Sequence, residues 1–186
     1  MGDSGDLDLI VRAQSGSVDA LGGLYDLHHE SIFRYLWLRL DDRQAAEDLT
    51  GDVFMRMLTA LPNYQSRGLP FRAWLYRIAH NLLVDHFRKA NNRVLVPLEE
   101  IEEQSDESDP ASAVEQRLFV ARMNHALSQI DENQREVIVL RFVIGLSLRE
   151  VTLAMGRTEA AVKSLQHRGL AAMRLALSQE QEQVIR

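Results

Sequence analysis

The chain of 186 residues contains no cysteine, which excludes disulfides and thiolate metal sites and suits a reducing compartment. It also lacks any apolar run approaching the ~20 residues of a membrane-spanning helix. The opening Met-Gly-Asp-Ser-Gly-Asp is acidic and polar, unlike a secretory leader, so a soluble cytoplasmic protein is expected. Recognisable catalytic spacings are missing too: His-Glu-x-x-His, a glycine-rich phosphate loop and Gly-x-Ser-x-Gly do not occur. The six histidines, His28-His29, His80 and His86 among them, therefore read as surface or helix-packing residues. Neither catalytic residues nor a metal or other cofactor is expected. Sustained apolar–polar alternation is absent as well, which makes the expected fold class all-α.

What is present is strongly segmented charge. Residues 1–65 hold five Lys/Arg against eleven Asp/Glu, residues 66–93 six against one, residues 94–115 none against eight, and residues 116–186 ten against seven. Two basic islands around an acidic spacer point to anionic partners, even though the net charge is −6.

Breakers and helical periodicity divide the chain further. Gly16 and Gly22-Gly23 interrupt the apolar pattern between Leu7 and Arg39, predicting two helices there. Asp41-Asp42 precedes an amphipathic stretch, Arg43 to Leu61, that Pro62 ends. Asn63 to Leu69 is a loop, and Pro70 suits the first turn of a helix running to about Lys89. Val96 to Ser112 carries Pro97, Pro110 and a dense acidic string, the composition of a flexible linker. Helix resumes over Ala113 to Ile130, and Asp131 with Gln134 caps a further one, Arg135 to Val143. The organisation expected is two small helical domains, 7–93 and 113–178, joined by an acidic linker, 94–112.

Near the C-terminus, Ser147 and Glu150 have capping-box spacing. Gly156 can end that helix in the left-handed conformation, and Thr158 can cap the next, with Glu159 at its positive dipole end. Two short helices about a tight turn, the second bearing cations and hydrogen-bonding groups, form the layout of a DNA-reading helix-turn-helix. A packed helical hairpin is the alternative.

On the helix from Pro70 to Lys89, Phe71, Trp74, Leu75, Ile78 and Leu82 share one side and read as core. Arg77, Asn81 and Arg88 fall on another flank, with Arg72, Tyr76 and His80 nearby. Arginines neutralise phosphates, aromatic rings stack on bases and an amide can read a base edge, so this flank suits single-stranded or distorted DNA. An ordinary solvated face is the alternative. On Arg43 to Leu61, by contrast, Glu47, Asp48 and Asp52 form an acidic patch beside Thr50 and Arg56, fit for a basic protein surface rather than DNA.

Taken in order, the strings Ala46-Glu-Asp-Leu-Thr-Gly-Asp-Val-Phe54 and Pro70-Phe-Arg-Ala-Trp-Leu-Tyr-Arg-Ile-Ala-His-Asn-Leu-Leu-Val-Asp-His-Phe-Arg88, with the terminal helix-turn-helix, resemble the extracytoplasmic-function sigma factors of the bacterial sigma-70 family. The similarity spans roughly Leu7 to Ala176. It implies a sigma2-like and a sigma4-like domain in a promoter-specificity factor that is not an enzyme. Its implied partners are core RNA polymerase, through the clamp helices and flap, promoter DNA and an anti-sigma factor. Membrane insertion and a small-molecule substrate are not implied, although an anti-sigma factor could hold the chain near a membrane.

By motif position, Glu47, Asp48, Leu49, Asp52, Val53 and Arg56 would bind polymerase. Ser66, Arg67 and Gly68 fall in the loop that captures an unstacked minus-ten base, and Asn81 in its pocket. Arg72, Arg77, Arg88 and Lys89 complete the minus-ten set. Arg157, Thr158, Lys163, Ser164, His167 and Arg168 are the candidates for the minus-thirty-five element. Two positions depart from the family pattern: Gly51, where glutamine is common, and Leu165, where many members carry arginine. A polymerase-independent DNA-binding regulator using only the helix-turn-helix is the competing reading; it has no need of the Pro70–Arg88 string.

Overall fold

A computed structural model describes residues 3–40, 42–66, 70–90 and 122–184, all of whose regular elements are helical. The first four helices are α1 (Asp3–Gln14), α2 (Val18–Leu40), α3 (Arg43–Ala60) and α4 (Phe71–Ala90), with a 3-10 turn at Leu61–Asn63. A second group comprises α5 (residues 122–128), α6 (Glu132–Ile138), a π turn at Val139–Val143, α7 (Leu148–Met155) and α8 (Glu159–Val184). The expected acidic linker, 94–112, and the expected helix start at Ala113 lie outside the described residues.

Local chemistry sets these boundaries. Asp42 caps α3 by accepting from the Ala45 N–H at 3.0 Å, and Pro62 sits in the 3-10 turn that ends it. Asp131 accepts from Asn133 and Gln134 at the head of α6. The break after α1 falls at Gly16, but α2 runs unbroken through Gly22-Gly23, contrary to the expected interruption. The reason is close packing: a Cβ on Gly23 would lie 3.1 Å from Leu9 Cδ2, so the missing side chain lets α1 rest against α2.

In the first module Leu24, Ile32, Leu36, Val53, Met57 and Leu75 are fully enclosed. In the second, Val137, Leu140, Leu146, Val151 and Val162 fill the interior. The two cores are continuous, because α7 packs along α4 and the π turn meets α2.

Candidate nucleic-acid interface

The helical period distributes α4 among three environments. Phe71, Leu75 and Leu82 enter the core as expected, while Trp74 and Ile78 are only partly covered. Arg77, Asn81, Arg88 and Lys89 are exposed, and the first three lie within about 40° of one another at ~100° per residue. Arg88 donates to Asp85 at 3.1 Å on the same surface.

The third side of α4 departs from the sequence expectation. Tyr76 is buried, donates to the Ser31 carbonyl at 3.2 Å, and burial pushes its phenol up to about 12. It therefore offers no ring for stacking. Arg72 makes a two-pronged pair with Glu150 of α7, Nε to Oε1 at 2.6 Å and Nη2 to Oε2 at 3.1 Å, so in this conformation it faces protein rather than DNA. His80 Nδ1 lies 2.8 Å from Glu136 Oε1 on α6. The periodicity placed Arg72, Tyr76 and His80 near the DNA flank because it cannot see that α2 covers Tyr76 and that a second module meets Arg72 and His80.

At the α4 N-terminus, Tyr64, Phe71 and Trp74 form an aromatic cluster, with ring centroids of 4.7 Å for Tyr64–Trp74 and 5.3 Å for Phe71–Trp74. Tyr64 and Trp74 line a cavity of about 410 Å³ together with Asn63, Gln65, Arg77 and, from α7, Leu153. Rings, amides and a guanidinium around such a volume are the groups that hold an unstacked base by stacking, edge hydrogen bonding and phosphate neutralisation. Asn81 is one helical turn beyond Arg77 on the same stripe and is not among the lining residues. Ser66 is exposed at the end of the described loop, whereas Arg67 and Gly68 lie outside the described residues. Sequence reasoning missed Tyr64 and Asn63; an aromatic just before a Gly-containing loop was the available signal.

On α3, Glu47, Asp48, Asp52 and Arg56 are exposed, as a docking face requires. Leu49 and Val53 are not: at 8% and 0% exposure they belong to the core, and their assignment to polymerase contact is corrected accordingly. The apolar component of this face is instead Met55 and Leu58, 64% and 40% exposed. Arg43 and Gln44 hold Glu47 and Asp48 at 2.9 and 3.2 Å.

The helix-turn-helix forms as its capping residues dictate. Ser147 accepts from the Glu150 N–H and Glu150 accepts from the Ser147 N–H at 2.7 Å, closing a capping box. Gly156 ends α7 at φ 62°, and Thr158 Oγ1 accepts from the Ala161 N–H at 3.3 Å. Arg157, Thr158, Lys163, Ser164, His167 and Arg168 are all exposed. Arg157 also donates to Asn133 Oδ1 at 2.6 Å, tying the turn to α6, and Lys163 pairs with Glu159 at 2.6 Å. Leu165 is buried, so the position where many sigma factors carry arginine is a core position here. Arg149 is a further exposed cation, on α7, that the sequence reading passed over.

Two carboxylates join the modules. Glu136, 2% exposed, receives Arg39 Nε at 2.7 Å and the Tyr35 hydroxyl in addition to His80. Burial would raise its carboxyl, but the His80 hydrogen bond, the Arg39 charge and the Tyr35 hydroxyl reverse this and hold it at about 2. Burial likewise pushes up Glu150, and the hydrogen bonds from Arg72 and Ser147 bring it below its ordinary value.

Comparison with known proteins agrees with this arrangement. Residues 24–93 match Sigma-70 region 2 and residues 126–175 match Sigma-70, region 4. The chain is 36% identical over 165 residues to the ECF RNA polymerase sigma factor BldN of Streptomyces coelicolor, covering 88% of this chain and 62% of that protein. It is 35% identical over 170 residues to the ECF RNA polymerase sigma factor SigD of Mycobacterium tuberculosis, covering 88% of this chain and 80% of SigD. Among solved structures, CnrH in complex with the cytosolic domain of CnrY superposes with a TM-score of 0.71 at 27% identity, over 94% of this chain and 98% of that one.

Proposed function

The chain belongs to the ECF RNA polymerase sigma factors, and from that membership we propose that it binds core RNA polymerase and directs initiation at one class of promoter. It acts in the cytoplasm as a specificity subunit rather than a catalyst. The first module, 7–93, docks the polymerase clamp helices through the exposed acidic side chains of α3, with Met55 and Leu58 supplying the apolar contact. The same module opens the minus-ten element and captures an unstacked base in the cavity that Tyr64 and Trp74 line, while Arg77, Asn81, Arg88 and Lys89 follow the strand. The second module, 113–178, docks the flap and reads the minus-thirty-five element through the exposed side of α8. An anti-sigma factor holds the protein inactive, near the membrane where the inhibitor is membrane-bound; the similar protein CnrH has been solved in complex with the cytosolic domain of CnrY.

The observation that carries this reading is the division of labour on α4, where an exposed cation–amide stripe adjoins an aromatic-walled cavity. Flipping a base costs a few kcal/mol, which stacking at ~1–3 kcal/mol per base offsets. The test is reconstitution of the full chain with core polymerase on a promoter mapped by transcript start sites after overproduction. Initiation is expected only with the chain present. Asn81→Ala and Trp74→Ala should lower open-complex formation at least tenfold while leaving polymerase association intact. Absence of stable association with core polymerase would overturn the assignment.

A further inference from the structure

The cavity wall carried by Asn63 and Tyr64 is held by a residue of α1. Leu61–Asn63 is a single 3-10 turn, closed by the Tyr64 N–H donating to the Leu61 carbonyl at 2.9 Å. A lone 3-10 turn has poorly aligned hydrogen bonds and holds its shape weakly by itself. Tyr64 then turns extended, at φ −66° and ψ 132°. The chain therefore changes direction just where its ring enters the aromatic cluster with Phe71 and Trp74.

Gln14, the last residue of α1, meets this turn from outside. Its side-chain nitrogen donates to the Leu61 carbonyl at 2.9 Å and to the Tyr64 carbonyl at 2.8 Å. Both partners can only accept, so the nitrogen, with its two protons, is the end of the amide that must face them. The support behind it is firm: Ile10 and Ala13 sink into the core, and Leu9 lies against Gly23. The two bonded carbonyls stand at the ends of the segment that brings Asn63 and Tyr64 to the cavity.

We infer that Gln14 is a positioning residue for the minus-ten cavity: its amide clamps both carbonyls and fixes the Asn63–Tyr64 wall against which the base is held. The inference rests on the base-capture reading above. It gives α1, to which that reading assigns no DNA contact, a part in promoter opening. Neutral hydrogen bonds from an exposed side chain add little to global stability, whereas a wall displaced by ~1 Å costs far more in a step that depends on position. The signature of the clamp is thus a loss of opening without a matching loss of fold.

The full chain, reconstituted with core polymerase on its mapped promoter, tests this. Gln14→Met keeps the length and helix propensity of the side chain but removes both donors. It should lower open-complex formation about fivefold, with polymerase association and helical circular dichroism retained. Gln14→Lys, whose ammonium can donate to both carbonyls, should recover to within about twofold of wild type. In a Tyr64→Ala background Gln14→Met should add less than about twofold, because the wall it positions is gone. Full multiplication of the two effects would overturn the clamp, as would wild-type opening by Gln14→Met or no recovery with Gln14→Lys. If Gln14→Met loses helicity, Gln14→Glu, whose carboxylate only accepts, decides by the same criteria.

The free chain supplies an arm that needs no polymerase. With Trp37→Phe, Trp74 is the remaining tryptophan. Gln14→Met should then shift its emission to longer wavelength, and Gln14→Lys should not. An unchanged spectrum with Gln14→Met overturns the clamp whatever the polymerase does. A shifted spectrum, with Tyr64→Ala opening the promoter as wild type does, would support the clamp and strike the base-capture reading instead.

Discussion

Gly51 is the residue whose local energetics are simplest to isolate. It lies inside α3, exposed, with no atom within 4 Å of where a Cβ would stand. Nothing in the fold uses its freedom, so it contributes only the entropic penalty of glycine in a helix. Gly51→Ala is expected to raise unfolding free energy by up to ~1 kcal/mol, measured as a higher midpoint in urea at unchanged slope. Gly51→Gln, the residue common in relatives, should gain somewhat less stability but add an exposed amide between Asp48 and Asp52, and tighter polymerase binding is its expected signature. Leu165 shows the opposite case. Its burial among the second module's apolar residues means that Leu165→Arg, though it imitates many family members, should destabilise the module by several kcal/mol rather than broaden DNA contact.

At the scale of the element, the helix-turn-helix was legible because each boundary residue acts within four positions of itself. Ser147, Glu150, Gly156 and Thr158 satisfy local N–H and C=O groups, and sequence spacing reports such interactions directly. Ser147→Ala should cost ~1 kcal/mol, read as a lower thermal midpoint with unchanged selectivity among promoters. Within α8, Lys163→Ala should weaken DNA binding similarly on all sequences and reduce the salt slope by about 1, whereas Ser164→Ala or His167→Ala is expected to relax discrimination at one promoter position. Helix α4 was read less completely. Its core side and its Arg77–Asn81–Arg88 stripe follow from periodicity, but a wheel has no coordinate for a neighbour from the far end of the chain, and Arg72 and His80 turned out to face one. On α3, Leu49 and Val53 lie within the matching motif string, while periodicity points them inward, and both are buried.

For the whole molecule the decisive contacts are remote in sequence. Tyr35 and Glu136 stand 101 positions apart, Arg72 and Glu150 78 apart, and the acidic partners look in sequence like ordinary helix-surface residues. Their placement carries a pH dependence of definite sign. Glu136 ionises at about 2 in the folded protein against an ordinary 4.5, so its contribution is complete above ~4.5 and declines as acidity drives the carboxyl toward protonation near 2; Glu150, also lowered, acts in the same direction. Acidification from pH 6 to 2.5 should therefore separate the modules before the individual helical cores melt. The expected record is growth of the scattering radius and a change in the combined emission of Trp37 and Trp74 ahead of the loss of far-ultraviolet helical signal. Simultaneous loss of all three would show that the modules share a single cooperative unit.

Glu150 serves two masters at once, accepting from the Ser147 amide at the head of α7 while gripping Arg72 across the domain boundary. Were Arg72 withdrawn, the first duty would remain: the capping box anchors the side chain to its own backbone, so Arg72→Ala is expected to leave the start of α7 intact.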